Sequence, residues 1–290
     1  MIRKAVQQIM LGTVTRNENE TRQTLAAIRE AGYDALELNG FMIRKTSMMV
    51  RMMTKAAGMP AGRGGSYDWP ALLREAGLGA VSVHTDLGSV KRDPDAVLRD
   101  AERFETPYAV ITGMYRFDYT DPEQVKQLAQ DLNESGKILR AGGVQLLYHN
   151  HNCEFLKLRD SGERAYDLLL RETDPEAVNF EFDSYWPTEA GVDALAVMRQ
   201  LGTRMKLWHI NDRGTRVKPG PVMTPILKSD SMELGYGNMN LTALAEQAKS
   251  AGIDAVILES HKNWAEKSPL KSLQLSARFL QEHFRENTGS

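Results

Sequence analysis

The 290-residue chain has little cysteine, little net charge and no long apolar run, and each absence argues against a class of protein. Its one cysteine, Cys153, cannot form a disulfide within the chain, which favours a reducing compartment such as the cytoplasm. The 36 basic and 38 acidic residues nearly cancel, without the basic stripe that nucleic-acid binding requires. No apolar run approaches the roughly 18 residues of a membrane span. We therefore expect a cytoplasmic protein that binds neither nucleic acid nor membranes.

Three further features are absent: a signal peptide, a dinucleotide-binding turn and a linker between domains. Gln7 and Gln8 interrupt the apolar stretch at the N-terminus, so a signal peptide is not expected. No GxGxxG turn follows the first apolar run, which argues against a dinucleotide-binding fold. No Pro-, Gly- or Ser-rich linker divides the chain, so residues 1–290 are predicted to form a single domain.

What the sequence does contain is a regular alternation of short apolar runs with longer amphipathic segments. The runs are Val6 to Thr13, Ala35 to Leu38, Ala80 to His84, Ala109 to Thr112, Val144 to His149, Val178 to Asp183, Met205 to Ile210 and Ala255 to Glu259. Several runs are apolar at successive positions, as in parallel strands buried on both faces. Many amphipathic segments end in a glycine such as Gly32 or Gly77, a helix stop before the next strand. The pattern predicts an α/β protein, a (β/α)₈ TIM barrel.

Two connections are longer than the rest. Residues 41–79, after the second strand, include six methionines between Met42 and Met59 and then a predicted helix near Asp68 to Ala76. The methionines are interpreted as adaptable core filler, with a flap over the barrel mouth as the alternative. Residues 211–240, after the seventh strand, are rich in proline and belong to the face where barrel active sites lie. A last helix, Lys267 to Asn287, is expected to pack on the barrel.

Acidic residues and histidines follow most of the strands. They are Glu37, His84, His149, His151, Glu154, Asp183, His209 and Glu259. Each alone has an ordinary interpretation as a cap or a hydrogen-bonded structural residue, but in a barrel the C-terminal ends of all strands converge on one mouth. Asp183, His209 and Glu259, with a Glu or His from strand five, would form a four-ligand divalent metal site. Mn²⁺ or Mg²⁺ is favoured, with Co²⁺ or Zn²⁺ as alternatives.

Six segments near the ends of the predicted strands carry a recognisable pattern: GYDALELNG (32–40), VSVHTDLG (81–88), LLYHNHNCEF (146–155), FEFDSYWPTEAG (180–191), LWHINDRG (207–214) and VILES (256–260). Together they resemble the sugar phosphate isomerase/epimerase family of xylose-isomerase-like TIM barrels, which also includes inosose dehydratases, hydroxypyruvate isomerases and endonuclease-IV-like enzymes. The resemblance spans almost the whole chain. It implies one divalent ion held by Glu, Asp, His and Glu from strands five to eight, and Asp183, His209 and Glu259 match this pattern.

Strand five departs from the pattern. The family places a metal-binding glutamate directly at the strand end, where this chain has Tyr148-His149-Asn150-His151. Glu154 is preferred as the fourth ligand because cations that favour oxygen would keep a third carboxylate. Substitution by His149 or His151 is the alternative.

The resemblance implies an isomerase or epimerase acting on a keto-sugar or an inosose. Glu154 and Glu259 would then remove and return the proton beside the carbonyl. His149 and His151 lie on one side of the strand, and an imidazole can protonate a departing group, so a lyase or dehydratase is the alternative. A non-catalytic sugar-binding subunit is a third hypothesis, and a DNA-repair endonuclease is disfavoured by the charge.

Five further residues are expected to contact the carbohydrate outside the metal site. The predicted substrate-binding residues are Glu37, His84, Trp186, Asp212 and Arg213. Asp212 has a second interpretation, as a partner that orients a metal-bound imidazole. A homo-oligomer is compatible with the sequence.

Overall fold

Eight parallel strands close into a barrel in the computed structural model, which describes residues 1–44, 65, 67–216, 220, 224 and 226–285. The barrel strands are β1 (Arg3–Gln7), β2 (Ala35–Asn39), β3 (Gly79–Thr85), β4 (Tyr108–Thr112), β5 (Gln145–His149), β6 (Val178–Asp183), β7 (Met205–Ile210) and β10 (Ala255–Leu258). Each pairs with its neighbour along the chain, and β10 closes the ring against β1. The predicted TIM barrel is confirmed.

Helices cover the outside of the barrel. They are α1 (Glu18–Glu30), α2 (Gly40–Ile43), α3 (Trp69–Ala76), α4 (Leu87–Arg92), α5 (Pro94–Arg103), α6 (Pro122–Ala141), α7 (Ala165–Glu172), α8 (Tyr185–Glu189), α9 (Ala194–Leu201), α10 (Leu241–Ala251) and α11 (Pro269–His283). α6 illustrates their local cause, since Asp121 accepts hydrogen bonds from the first amides and Pro122 fits the first turn. No helix in the described part of the chain combines the length and apolar character needed to span a bilayer.

The alternation of side chains along each strand divides the core into two parts. Residues of one set point into the barrel and form a small apolar cluster that includes Ala5, Val81, Leu147, Leu207 and Ile257. Residues of the other set point outward and pack against the helices in one larger cluster. The interior cluster fills the barrel, so the polar residues that follow it along the strands are carried to the mouth.

The first strand is shorter than predicted. The sequence predicts a strand over Val6 to Thr13, but β1 ends at Gln7 and a 3₁₀ turn covers Gln8–Leu11. The Gln7 side-chain carbonyl accepts a hydrogen bond from the amide of Ile9 at 2.8 Å and thereby caps this turn. The apolar run alone predicts that the strand continues, but this local hydrogen bond between a side chain and the backbone ends it at Gln7.

The two long connections each contain described secondary structure, including a helix in the first and a strand pair in the second. Residues 45–64 and 66, and with them most of the methionines, lie outside the described residues, so the core-filler and flap interpretations stay predictions. The predicted helix after them is α3, with Asp68 as its N-cap. The second connection contains a short antiparallel pair, β8 (Asp212–Gly214) and β9 (Asp230–Met232). α11 packs on the barrel, and Tyr33 donates a hydrogen bond to the carbonyl of Leu273 within it.

Candidate metal centre

Three neighbouring strands bring acids and histidines side by side inside the barrel mouth. In the register of β5, β6 and β7, His149 lies beside Glu181 and Asp183 lies beside His209. Because side chains alternate along a strand, Glu181 and Asp183 point to the same side of β6. The side-chain amide of Asn150 pins this arrangement, since it exchanges two 3.0 Å hydrogen bonds with the backbone of Asp183.

The first cluster, here called the outer group, consists of His149, Asp183, His209 and Glu259. One donor atom from each of these residues lies within 4.8 Å of those of the other three. Nδ1 of His209 lies 2.9 Å from Glu259 Oε2 and 4.0 Å from Asp183 Oδ2. The other oxygen of Asp183 accepts a hydrogen bond from the Tyr185 amide at 2.7 Å. The outer group therefore gathers two carboxylates and two imidazoles around one point.

This set of residues fits a divalent cation. Nδ1 of His149 lies 3.1 Å from Glu181 Oε2 but lacks hydrogen-bond geometry, and it has no hydrogen-bond partner among the residues described. A buried polar atom without a partner needs an explanation, and a small rotation of this imidazole supplies one, because it would complete the Nδ1 bond to Glu181 and leave Nε2 for an ion. Burial and the nearby Glu259 raise the pKa of Asp183 well above its ordinary value. A cation between two such carboxylates would relieve that repulsion.

The second cluster, here called the inner group, consists of Glu37, His84, Glu181 and His209. Nε2 of His209 lies 2.5 Å from Glu37 Oε2, and Nε2 of His84 lies 2.9 Å from Glu181 Oε2 and 3.1 Å from Glu37 Oε1. Burial alone would lower the pKa of His84, but the carboxylates of Glu37 and Glu181 raise it to about 10. The acids and bases of this group thus pair with one another by hydrogen bonds and charge, although Oε1 of Glu181 has no hydrogen-bond partner among the described residues.

Glu154 belongs to neither group. It is fully buried, and its carboxylate accepts hydrogen bonds from the Tyr148 hydroxyl and the His151 amide, each at 2.8 Å. Tyr148 points out of the barrel toward the helices, and its hydroxyl lies 2.9 Å from that of Tyr119. The strand-five member of the outer group is His149, the alternative that the sequence left open, and the preferred ligand Glu154 faces away because a 3₁₀ turn at Cys153–Phe155 directs it back onto β5.

A cavity of about 890 Å³ opens above the outer group. Its lining includes His84, His149, His151, Trp186, Glu259 and Trp264. The His151 ring lies 5.1 Å from that of His149 and 5.5 Å from that of Trp186, and its Nδ1 is 3.5 Å from Thr112 Oγ1. His151 is thus a cavity histidine outside both groups, and burial lowers its pKa.

The other predicted residues divide between the cavity and the framework. His84 and Trp186 line the cavity, whereas Glu37 is fully buried and does not. Asp212 accepts hydrogen bonds from four backbone amides and so stabilises the conformation of the loop after β7; the donors are Arg213, Gly235, Gly237 and Met239. Arg213 pairs with Glu189 at 2.7 Å. Sequence reasoning missed Glu181, which alternation from Asp183 would have revealed.

Comparison with known proteins places this geometry in context. A family model described as "Xylose isomerase-like TIM barrel" matches residues 25–283. An inosose dehydratase of Clostridium perfringens is 31% identical over 110 residues, which are 38% of this chain and 34% of the relative. The match therefore spans about a third of the length of that relative.

Solved structures resemble the chain over nearly its full length. A sugar phosphate isomerase/epimerase from Parabacteroides distasonis superposes with a TM-score of 0.75 and 21% identity, covering 97% of this chain and 94% of that one. The IOLI protein with a bound zinc atom superposes with a TM-score of 0.67 and 14% identity over 100% of both chains. At these identities the likeness establishes the fold.

Proposed function

This chain belongs to the xylose isomerase-like TIM barrel family, and on that premise we propose that it is a divalent-metal-dependent enzyme acting on a keto-sugar or an inosose. The observation that carries the proposal is the outer group, where His149, Asp183, His209 and Glu259 converge beneath a cavity. Asp183, His209 and Glu259 keep the metal-binding roles expected from the sequence, and His149 takes the strand-five position.

The donor set bears on which ion is held. Two imidazoles and two carboxylates suit Mn²⁺, Co²⁺ or Zn²⁺ better than Mg²⁺, which prefers oxygen ligands and bound waters. Solved structures of this fold include one with a zinc atom and one in complex with magnesium, so this order rests on the donor set. When bound, the ion would polarise the carbonyl of a hydroxyketone and lower the cost of losing the adjacent proton.

Among the reactions open to such a site, we favour elimination, that is, a lyase or dehydratase. Epimerisation by paired carboxylates needs a second free carboxylate opposite Glu259, and the Glu154 carboxylate is already engaged by Tyr148 and His151. Strand five instead presents His151 to the cavity. The name of the relatives, inosose dehydratase, agrees with this choice.

His151 can perform both proton transfers of an elimination. Its neutral imidazole would take the proton beside the carbonyl, and the electron pair of that C–H bond forms the new double bond as the C–O bond to the leaving group breaks. The resulting imidazolium would give the same proton to the departing oxygen, which leaves as water or, from a glycoside, as an alcohol. Trp186, 5.5 Å from His151, would stack on the sugar ring, and His84 would contact its hydroxyls.

Isomerisation or epimerisation is the second candidate. The first step is the same, and the solved structure that matches 97% of this chain is titled a sugar phosphate isomerase/epimerase. Here Glu259 and His151 would serve as the two proton-transferring groups. The difference lies only in whether the proton returns to carbon or to a departing oxygen.

An incubation in D₂O separates the candidates. The purified protein, loaded in turn with Mn²⁺, Co²⁺ and Zn²⁺, is mixed with an inosose or a 3-keto-glucose and followed by NMR. Loss of water or of the aglycone supports elimination, and deuterium in an otherwise intact or epimerised sugar supports the second candidate. A protein that binds sugar with no metal and no exchange would instead be the non-catalytic subunit and would overturn both.

The cellular compartment and the oligomeric state of the protein stay predictions. The single Cys153 is the basis for a reducing, cytoplasmic compartment. A homo-oligomer is compatible with the sequence, and size-exclusion chromatography with light scattering tests it directly.

A further inference from the structure

Beneath the proposed metal centre, one carboxylate oxygen approaches three histidines. Oε2 of Glu181 lies 2.9 Å from His84 Nε2, 3.1 Å from His149 Nδ1 and 3.2 Å from His209 Nε2. Glu37 adds a 2.5 Å hydrogen bond to the same nitrogen of His209. Glu181 and Glu37 are both fully buried, so these contacts are not shared with bulk water. Both histidines of the outer group therefore have one ring nitrogen turned toward buried carboxylates.

We infer that Glu37 and Glu181 are positioning residues that select Nδ1 of His209 and Nε2 of His149 as the two nitrogen ligands of the metal. The inference rests on the proposed metal centre. A neutral imidazole carries its proton on one nitrogen and its lone pair on the other, so the nitrogen that donates to a carboxylate leaves the opposite one for an ion. For His209, the opposite nitrogen already lies 2.9 Å from Glu259.

The two carboxylates are themselves held in place. The Ser82 hydroxyl donates a hydrogen bond to Glu37 Oε1, and His84 bridges Glu37 and Glu181 through its Nε2. This bridge lets two buried acids lie side by side, because the imidazole between them offsets their repulsion. Neither acid needs to contact the ion to fix the orientation of its ligands.

The competing interpretation is that the inner group itself holds the ion, through Nε2 of His209. Its donor atoms also lie within 4.8 Å of one another. However, these donor atoms are already paired with each other at 2.5–3.2 Å. An ion could enter the inner group only by breaking those contacts. The nitrogen of His209 that binds the metal therefore decides between the two clusters.

NMR of histidine-labelled protein measures this choice in the wild-type chain. Long-range ¹⁵N–¹H spectra report which nitrogen of each of the six histidines carries a proton, and Zn²⁺ is diamagnetic and can be titrated in. His209→Gln and His149→Gln assign the two ring systems. We expect zinc to shift Nδ1 of His209 and Nε2 of His149, with the proton on the other nitrogen in each ring. Zinc on Nε2 of His209 would overturn the inference and leave the metal-dependent function intact.

Variants test whether the carboxylates cause the selection. Glu37→Gln and Glu181→Gln keep the side-chain shape but remove the charge, and zinc affinity measured against a competing chelator should fall about 10- to 100-fold in each. The NMR spectra should show both proton positions in His209 or His149. Glu233→Gln is the matched control, since Glu233 is a buried carboxylate bonded to Ser272 and Arg216. Equal losses in all three variants would contradict the inference, and absence of zinc binding in the wild type would instead overturn the proposed function.

Discussion

The inner and outer groups share His209 but differ in how far their members satisfy one another. In the inner group, acids and imidazoles are paired at 2.5–3.2 Å. In the outer group, one hydrogen bond joins His209 to Glu259, while Asp183 Oδ2 lies 4.0 Å from His209 and no hydrogen bond joins His149 to the other three members in the described structure. Buried polar groups left unpaired are costly unless a ligand completes them. The contrast supports the proposal that the inner group is framework and that the outer group receives the ion.

Asp183→Ala tests the difference between the two groups most severely, because it removes a carboxylate that belongs to the outer group only. We expect the purified variant to lose its metal and all turnover, because the three remaining donors, with one negative charge fewer, hold a divalent ion far more weakly. Metal analysis by mass spectrometry measures it. The matched control is Asp193→Ala, which removes the N-cap of α9 and should cost about 0.5–2 kcal/mol of stability without changing metal content. Full occupancy in Asp183→Ala would show that the outer group is not the metal centre.

A second prediction separates the metal centre from the proton-transferring residue. His151→Gln should lower kcat by about 10²- to 10⁴-fold, the usual contribution of a general acid or base, while metal content stays at the wild-type level. His261→Gln is the control, because His261 also lines the cavity but its side chain is 44% exposed and lies 3.4 Å from Glu259. Steady-state kinetics of both variants is measured on the substrate that the D₂O incubation identifies. An equal fall in the two variants would remove His151 from its assigned role.

The same contrast explains which parts of the site the sequence could predict. Strand periodicity located the barrel and the strand ends, and it brought Asp183, His209 and Glu259 to one mouth because parallel strands end on one face. The same strand contains Glu181, two residues before Asp183, but a glutamate between two phenylalanines looks like an ordinary strand residue unless the alternation is counted back from Asp183.

Strand five was harder because its outcome depends on three-dimensional contacts. Glu154 lies only three residues beyond His151, close enough in sequence to reach an ion. The turn after β5 and the outward-facing Tyr148 direct its carboxylate to the other side of the barrel wall. No periodicity encodes that choice, since it depends on which hydroxyl and amide are within reach after folding.

Glu154 therefore gives a prediction of intermediate size. Glu154→Ala leaves the Tyr148 hydroxyl and the His151 amide without their acceptor, so the free energy of unfolding should fall by about 1–3 kcal/mol, measured by urea denaturation. Metal content should not change. Glu154→Gln should recover much of the stability because one amide oxygen still accepts. Metal loss in a folded Glu154→Gln protein would restore Glu154 as the strand-five ligand in place of His149.

The smallest effect is expected outside both groups, at Arg213. Its guanidinium pairs with Glu189 at 2.7 Å, with the two side chains 21% and 35% exposed, and it lies 6.0 Å from the Tyr185 ring. Partly exposed ion pairs contribute little because water screens them, so Arg213→Ala should change the free energy of unfolding by less than about 1 kcal/mol. KM should stay at its wild-type value if Arg213 belongs to the framework. A rise in KM with unchanged stability would instead place Arg213 on the substrate, as the sequence predicted, and would extend the binding surface beyond the cavity above the outer group.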